Sequence, residues 1–222
     1  MEKNNLDKGM LWFFLSVGLL VVIISATLVD KFETLHIGNM NWGESTFFVL
    51  VAACLFWLFR RVGIDEFKLR VGKLKLDRPA LYFVAALVFI LVYYAYIFKG
   101  YSEFDLESFF FMLTMPGLLE ELFFRGLLLG ILNRLFDKKF SLFGVKFGWG
   151  LILVSFGFGV LHILNYLVTG DSTIDQLMFT LTLTTVAGFL FGFLAEATGG
   201  LLLPILVHNG LNVVRVVFFA FG

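Results

Sequence analysis

Seven times along the chain, near residues 10–29, 43–59, 79–98, 106–135, 147–168, 175–195 and 200–220, the sequence stays apolar for about 20 residues. A helix of that length rises about 30 Å, the depth of a bilayer's hydrocarbon core. Where no water can satisfy the backbone, a spanning segment must bond to itself, and continuous runs of this length do so as helices. The expected fold is therefore all-α: a polytopic membrane helix bundle with seven or eight transmembrane helices, forming one integral membrane domain over 1–222. Composition agrees, since 59% hydrophobic and 15% charged residues and a mean hydropathy of +0.92 lie far from soluble averages. The count of eight comes from the overlong fourth run. It carries Thr114, Met115, Pro116 and Gly117, where the missing proline N–H predicts a kink or a restart.

Basic residues fall in alternate connections. Arg60 to Arg78 holds Arg60, Arg61, Lys68, Arg70, Lys73, Lys75 and Arg78, and Arg134 to Lys146 holds Arg134, Lys138, Lys139 and Lys146, with Lys3 and Lys8 near the start. The intervening connections carry almost none. Positive charge stays on the cytoplasmic side, so seven spans with a cytoplasmic amino terminus are self-consistent. The first run is too long for a signal-peptide core and is expected to be retained as a helix. FKLRVGKLKLD reads as a solvated basic loop, with a small hairpin or interfacial segment as the alternative. Cys54 stands alone in an apolar run, which excludes an internal disulfide and predicts packing. With 17 basic and 17 acidic residues the net charge is zero, so nothing points to nucleic acid. The bilayer is the expected partner.

Against this background the stretch LLEELFFRGLL at 118–128 stands out. An ionised group at the centre of a membrane helix costs roughly 2.5–3.5 kcal/mol on insertion scales. Glu121 and Arg125 are i and i+4, neighbours on one face, and can neutralise each other. Glu120 is turned about 100° away and is expected to lack a local cation. Two of the three histidines also fall in spans. Phe158 precedes His162 by one turn and Asn165 follows it, while His208 and Asn212 share a face from which Asn209 is turned away. Counted from the cytoplasmic ends, Glu120 and His162 lie roughly 21–24 Å deep, and His208 and Asn212 roughly 12 and 18 Å. The three spans are thus expected to enclose a common polar cavity.

A carboxylate and a histidine around one water are enough to activate it, and a second histidine with an amide can donate to the oxyanion formed on a carbonyl. Ser155 lies two turns from His162 and Cys54 is in another span, so a serine or cysteine nucleophile is not expected. The glycines at 188, 192, 199, 200 and 210 read as close helix approach or bends, and Phe158 as packing or a pocket wall. Two non-enzymatic readings compete. A membrane scaffold or immunity protein would use the polar cluster for helix association, and a proton-coupled transporter would use it as a relay. The sixth span supplies few acids for such a relay.

The three motifs, EELFFRG with Glu120, Glu121 and Arg125, then Phe158 with His162, then His208 with Asn212, resemble those of the CPBP (CAAX-protease and bacteriocin-processing, or Abi) family of intramembrane proteases. The resemblance covers about residues 105–215 and leaves the three helices over 10–98 unmatched. It implies hydrolysis of a peptide bond near the membrane in a membrane-associated protein or peptide, with Glu120 as general base, His162 positioning the water and His208 and Asn212 binding the oxyanion. Glu121 and Arg125 would hold the site together. Members have been described as metalloproteases and as metal-free glutamate proteases. The residues here favour no cofactor, because zinc on Glu120, His162 and His208 would occupy the base while Arg125 claims Glu121. Prenylated carboxyl-terminal peptides, leader-peptide precursors and membrane-anchored regulators all remain open as substrates.

Overall fold

A computed structural model of the chain describes residues 37–61, 103–169 and 173–221, with helical positions scattered through 9–20 and 81–89. Helix α1 spans Trp42–Arg61 and α2 spans Leu106–Glu121. A π-helical segment, Leu122–Leu129, continues α2 without interruption into the short α3, Gly130–Leu135. After a hairpin of β1 (Phe140–Leu142) and β2 (Val145–Phe147) come α4 (Trp149–Thr169), α5 (Ile174–Thr198) and α6 (Leu202–Phe221). Of these, Ile174–Thr198 and Leu202–Ala220 are long and apolar enough to cross a membrane. The basic stretch FKLRVGKLKLD and most of the first and third apolar runs lie outside the described residues.

The fourth apolar run does not restart at its proline. Pro116 lies inside α2, and the departure from α-helical geometry comes later, as the wider i→i+5 turns of Leu122–Leu129. Every residue of that segment is buried, and its leucines and phenylalanines form the centre of the apolar core. Helix α2 begins at Asp105, whose carboxylate accepts from the Glu107 and Ser108 amides at 3.2 and 2.8 Å. Those bonds, the Ser108 amide's first, hold the Asp105 carboxyl below its ordinary range. Helix α5 opens with a reciprocal Thr173–Gln176 capping box.

Two neighbourhoods set the positions of the polar residues. Helix α4 packs along α5, and α2 packs along α6. Buried polar groups point inward, among them Glu121, Arg125, Ser155, His208 and Asn209, while Phe47, Trp57, Phe110, Phe156, Met178 and Phe218 stand exposed on the outside. This arrangement inverts a soluble protein and matches lipid as the outer solvent. Cys54, expected in the packing, is on that exposed surface of α1. On α6, Asn209, off the face shared by His208 and Asn212, is buried at 5% exposure and hydrogen-bonds to α2.

An all-helical fold needs one amendment. Part of the basic connection Arg134 to Lys146 folds, with Phe147, into an antiparallel hairpin with Leu142 opposite Val145. Its two-residue turn places Phe143 and Gly144 at φ 51° and 81°, the primed geometry that suits strand twist. Phe147 packs edge-on against Phe189 and Phe193 of α5, and Lys138 reaches the buried Glu196 carboxylate at 2.6 Å. Asn133, at the end of the long helical run, donates to the other Glu196 oxygen at 2.7 Å. A sequence window that looks for apolar runs cannot detect strands of three residues held this way.

Close approach of α4 and α5 depends on Gly159. A Cβ there would stand 2.9 Å from the Leu181 carbonyl oxygen, a backbone atom that cannot rotate away. Gly159→Val should therefore cost roughly 1–3 kcal/mol through overpacking, visible as a lower thermal unfolding temperature in detergent. An unchanged temperature would mean that the two helices are not this close.

Candidate active site

Glu121 ends α2, and Arg125 lies one turn further on, inside the π-helical segment. Both side chains are completely buried, and Arg125 Nη1 donates to Glu121 Oε1 at 3.1 Å, as the i, i+4 spacing predicts. The rest of the cation's environment comes from other helices. Arg125 Nη2 donates to the Gly188 carbonyl of α5 at 2.8 Å. Its guanidinium carbon lies 4.7, 5.5 and 5.8 Å from the ring centres of Phe158, Phe191 and Phe124. A planar, weakly hydrated cation can bond through its edge and stack on its faces, which suits it to this cage better than an ammonium.

His208 enters from α6. Its Nδ1–H donates to the same Glu121 Oε1 at 2.9 Å, while Nε2 lies 3.8 Å from Glu120 Oε2. The imidazole lies flat on the Phe191 ring, with centroids 4.6 Å apart and planes at 8°. One oxygen of Glu121 thus joins Arg125 to His208 and fixes which way the imidazole faces. The sequence reading gave Glu121 to Arg125 alone. Helix periodicity shows partners on the same helix and is blind to one 87 residues away.

The two adjacent glutamates sit in different surroundings. Glu121 has 0% side-chain exposure and Glu120 has 27%. Among the described residues Glu120 Oε2 has no hydrogen-bond partner, since 3.8 Å to His208 exceeds hydrogen-bonding range. Its neighbour across the bundle is His208.

His162 is placed differently from His208. Its Nδ1 lies 2.8 Å from the Phe158 carbonyl on its own helix. A carbonyl only accepts, so Nδ1 carries the hydrogen and Nε2 is the nitrogen left for other partners. The His162 ring rests on Phe158 at 4.4 Å, and Phe158 in turn lies edge-on 6.4 Å from His208. Among the described residues no hydrogen bond or ion pair joins His162 to Glu120. Phe158 is therefore more than a wall, because it touches both imidazoles and the guanidinium. Asn212, one turn beyond His208, is half-buried and makes no hydrogen bond among the described residues.

Three contributors escaped the sequence reading. Phe191 is one of thirty phenylalanines, and no local spacing distinguishes it. The Gly188 carbonyl carries no sequence signal, although the glycine itself hints at close approach. Asn209 is legible as an amide inside a span, turned away from His208 and Asn212, but its partners on α2 are not. No three His, Cys, Asp or Glu side chains among the described residues are grouped as a metal would need. The alternative ligand set Glu120, His162 and His208 is therefore not grouped as a metal site in this structure.

Breaking a buried ion pair from one side leaves an uncompensated charge. Arg125→Met should destabilise the protein by about 3–5 kcal/mol, whereas the double variant Glu121→Gln with Arg125→Met should recover part of that loss. Equilibrium unfolding in mixed micelles measures both, and additive losses would mean that the two side chains do not interact.

A family model described as type II CAAX prenyl endopeptidase, Rce1-like, matches residues 102–214, just over half of the chain and the part that holds Glu120, Glu121, Arg125, Phe158, His162, His208 and Asn212. No curated protein and no solved structure matches the chain. The family, together with the two long apolar helices, makes this an integral membrane protein. The chain belongs to the Rce1-like family of type II CAAX prenyl endopeptidases.

Proposed function

We propose that the chain is an intramembrane endopeptidase in which Glu120 deprotonates the attacking water. The observation that carries this reading is the contrast between the glutamates. Glu121 is buried with its Oε1 bonded to both Arg125 and His208, while Glu120 is partly exposed and its carboxylate makes no such bond, the Oε2 of each being without a hydrogen-bond partner among the described residues. A base must be free to accept a proton and within reach of the reacting water, and the unpartnered Glu120 oxygen supports the first condition.

The remaining roles follow from the nitrogen each imidazole leaves free. His208 gives Nδ1–H to Glu121, so its Nε2 faces the side of Glu120. Binding the oxyanion needs a hydrogen on that Nε2 as well as the one Nδ1 gives to Glu121. Asn212, one turn along α6, would supply the second donor. His162, with Nδ1 committed to the Phe158 carbonyl, would meet the water through Nε2. Once the carbonyl is attacked, the proton taken by Glu120 passes to the leaving amine as the C–N bond breaks. Arg125 and Glu121 keep His208 in place throughout.

The family's name supports a lipid-bearing CAAX-type carboxyl terminus as the first substrate to try. The alternation of basic connections supports a multi-pass topology with a cytoplasmic amino terminus, and a scissile bond presented from that side.

Glu120→Gln should leave the protein folded and lower kcat by about 10²- to 10⁴-fold, the usual worth of a positioned base. Purified protein in lipid, given a prenylated CAAX peptide and an unlipidated control, provides the assay, repeated with chelator present. Turnover that survives Glu120→Gln would end the proposal. A scaffold, in contrast, would cleave nothing and would keep its binding partner in the Gln variant.

A further inference from the structure

We infer that Asn209 is a positioning residue that fixes where α2 stands against α6, and so sets Glu120 and Glu121 against His208. The inference rests on the peptidase reading above and extends it to a residue that touches no reacting atom.

Asn209 is buried at 5% exposure, and both ends of its amide are used on α2. Its Oδ1 accepts the Gly117 amide N–H at 2.7 Å. Its Nδ2 donates to the Thr114 carbonyl at 3.1 Å. These two backbone groups flank Pro116, whose ring nitrogen has no hydrogen to donate and therefore cannot complete the local helical bonding. The amide thus bonds to the turn of α2 that proline weakens. Polar bonds between membrane helices are modest singly, but this one is bidentate and engages backbone, so it fixes axial position as well as proximity.

The register it sets leads directly to the candidate site. Gly117 is i−4 to Glu121 and i−3 to Glu120, so all three lie on neighbouring turns of one helical run. On the other partner, Asn209 follows His208 directly. The clamp and the carboxylate–imidazole contacts therefore join the same two helices within one turn of each other. The contacts have little slack, at 2.9 Å from His208 to Glu121 and 3.8 Å to Glu120. Gly117 is part of the fit, because a Cβ there would lie 2.9 Å from Asn209 Cγ and 3.0 Å from the Ile205 carbonyl.

The test uses full-length protein in lipid with two variants, Asn209→Leu and Gly117→Ala. The second alters only α2 and favours helix, so it still tests the clamp if the first fails to fold. Two readouts are taken: kcat and KM on the prenylated peptide, and the spacing of spin labels at Phe110→Cys and Val214→Cys in a Cys54→Ser background. Phe110 and Val214 are exposed on α2 and α6. For a folded variant the expected result is a kcat lower by about tenfold or more, as small misplacement of reacting groups produces, with KM within about twofold and a shifted or broadened label distance. An unchanged kcat overturns the inference whatever the distance does. So does a kcat that falls only with thermal stability while the distance stays as in wild type, the outcome of a merely structural bond. If the unsubstituted protein shows no turnover sensitive to Glu120→Gln, it is the peptidase reading that fails. The label distance alone then decides the register claim, and an unchanged distance overturns it.

Discussion

One oxygen of Glu121 holds the centre of this protein together. It accepts from Arg125 on its own helix and from His208 on α6, inside a volume from which water is excluded. The Coulomb attraction there is strong because the surroundings polarise little, and for the same reason either charge left alone would be severely unfavourable. The pair is therefore complete or absent, and its completion requires α2, α5 and α6 to arrive together, since α5 supplies the Gly188 carbonyl and the Phe191 face.

Around that ion pair the bundle is organised by two kinds of contact. Aromatic rings fill space and stabilise charge at once, as Phe158 does between Arg125, His162 and His208. Small residues and amides bring backbones close, as Gly159 does for α4 with α5 and Asn209 with Gly117 does for α2 with α6. The π-helical segment after Glu121 runs through the middle of this arrangement, fully buried. Wider turns change which residues face the same neighbour.

The family comparison and the geometry rest on different information and arrive at the same stretch. The family match lies within 102–214, and the buried polar groups of the described bundle fall mostly in the same range. Neither Phe191 nor Asn209 belongs to the three motifs, yet one stacks on His208 and the other lies next to it in the chain. The orientation of the motif residues thus depends on residues that no motif marks and that matter through contact alone.

How much was legible follows from the range over which each force acts. Hydrophobic runs and i, i+4 charges are local, so the positions of the described helices and the Glu121–Arg125 pair could be read directly from residue order, as could the separate environments of Glu120 and Glu121. The hairpin at 140–147, the exposed Cys54 and the inward turn of Asn209 could not, because each depends on which faces neighbouring helices present. The sequence by itself determined that costly polar groups in separate apolar helices had to be gathered away from lipid. Only the tertiary structure decided that His208, not His162, meets the glutamates, because the partner an imidazole finds depends on helix rotation and depth, which are set by packing between segments about ninety residues apart.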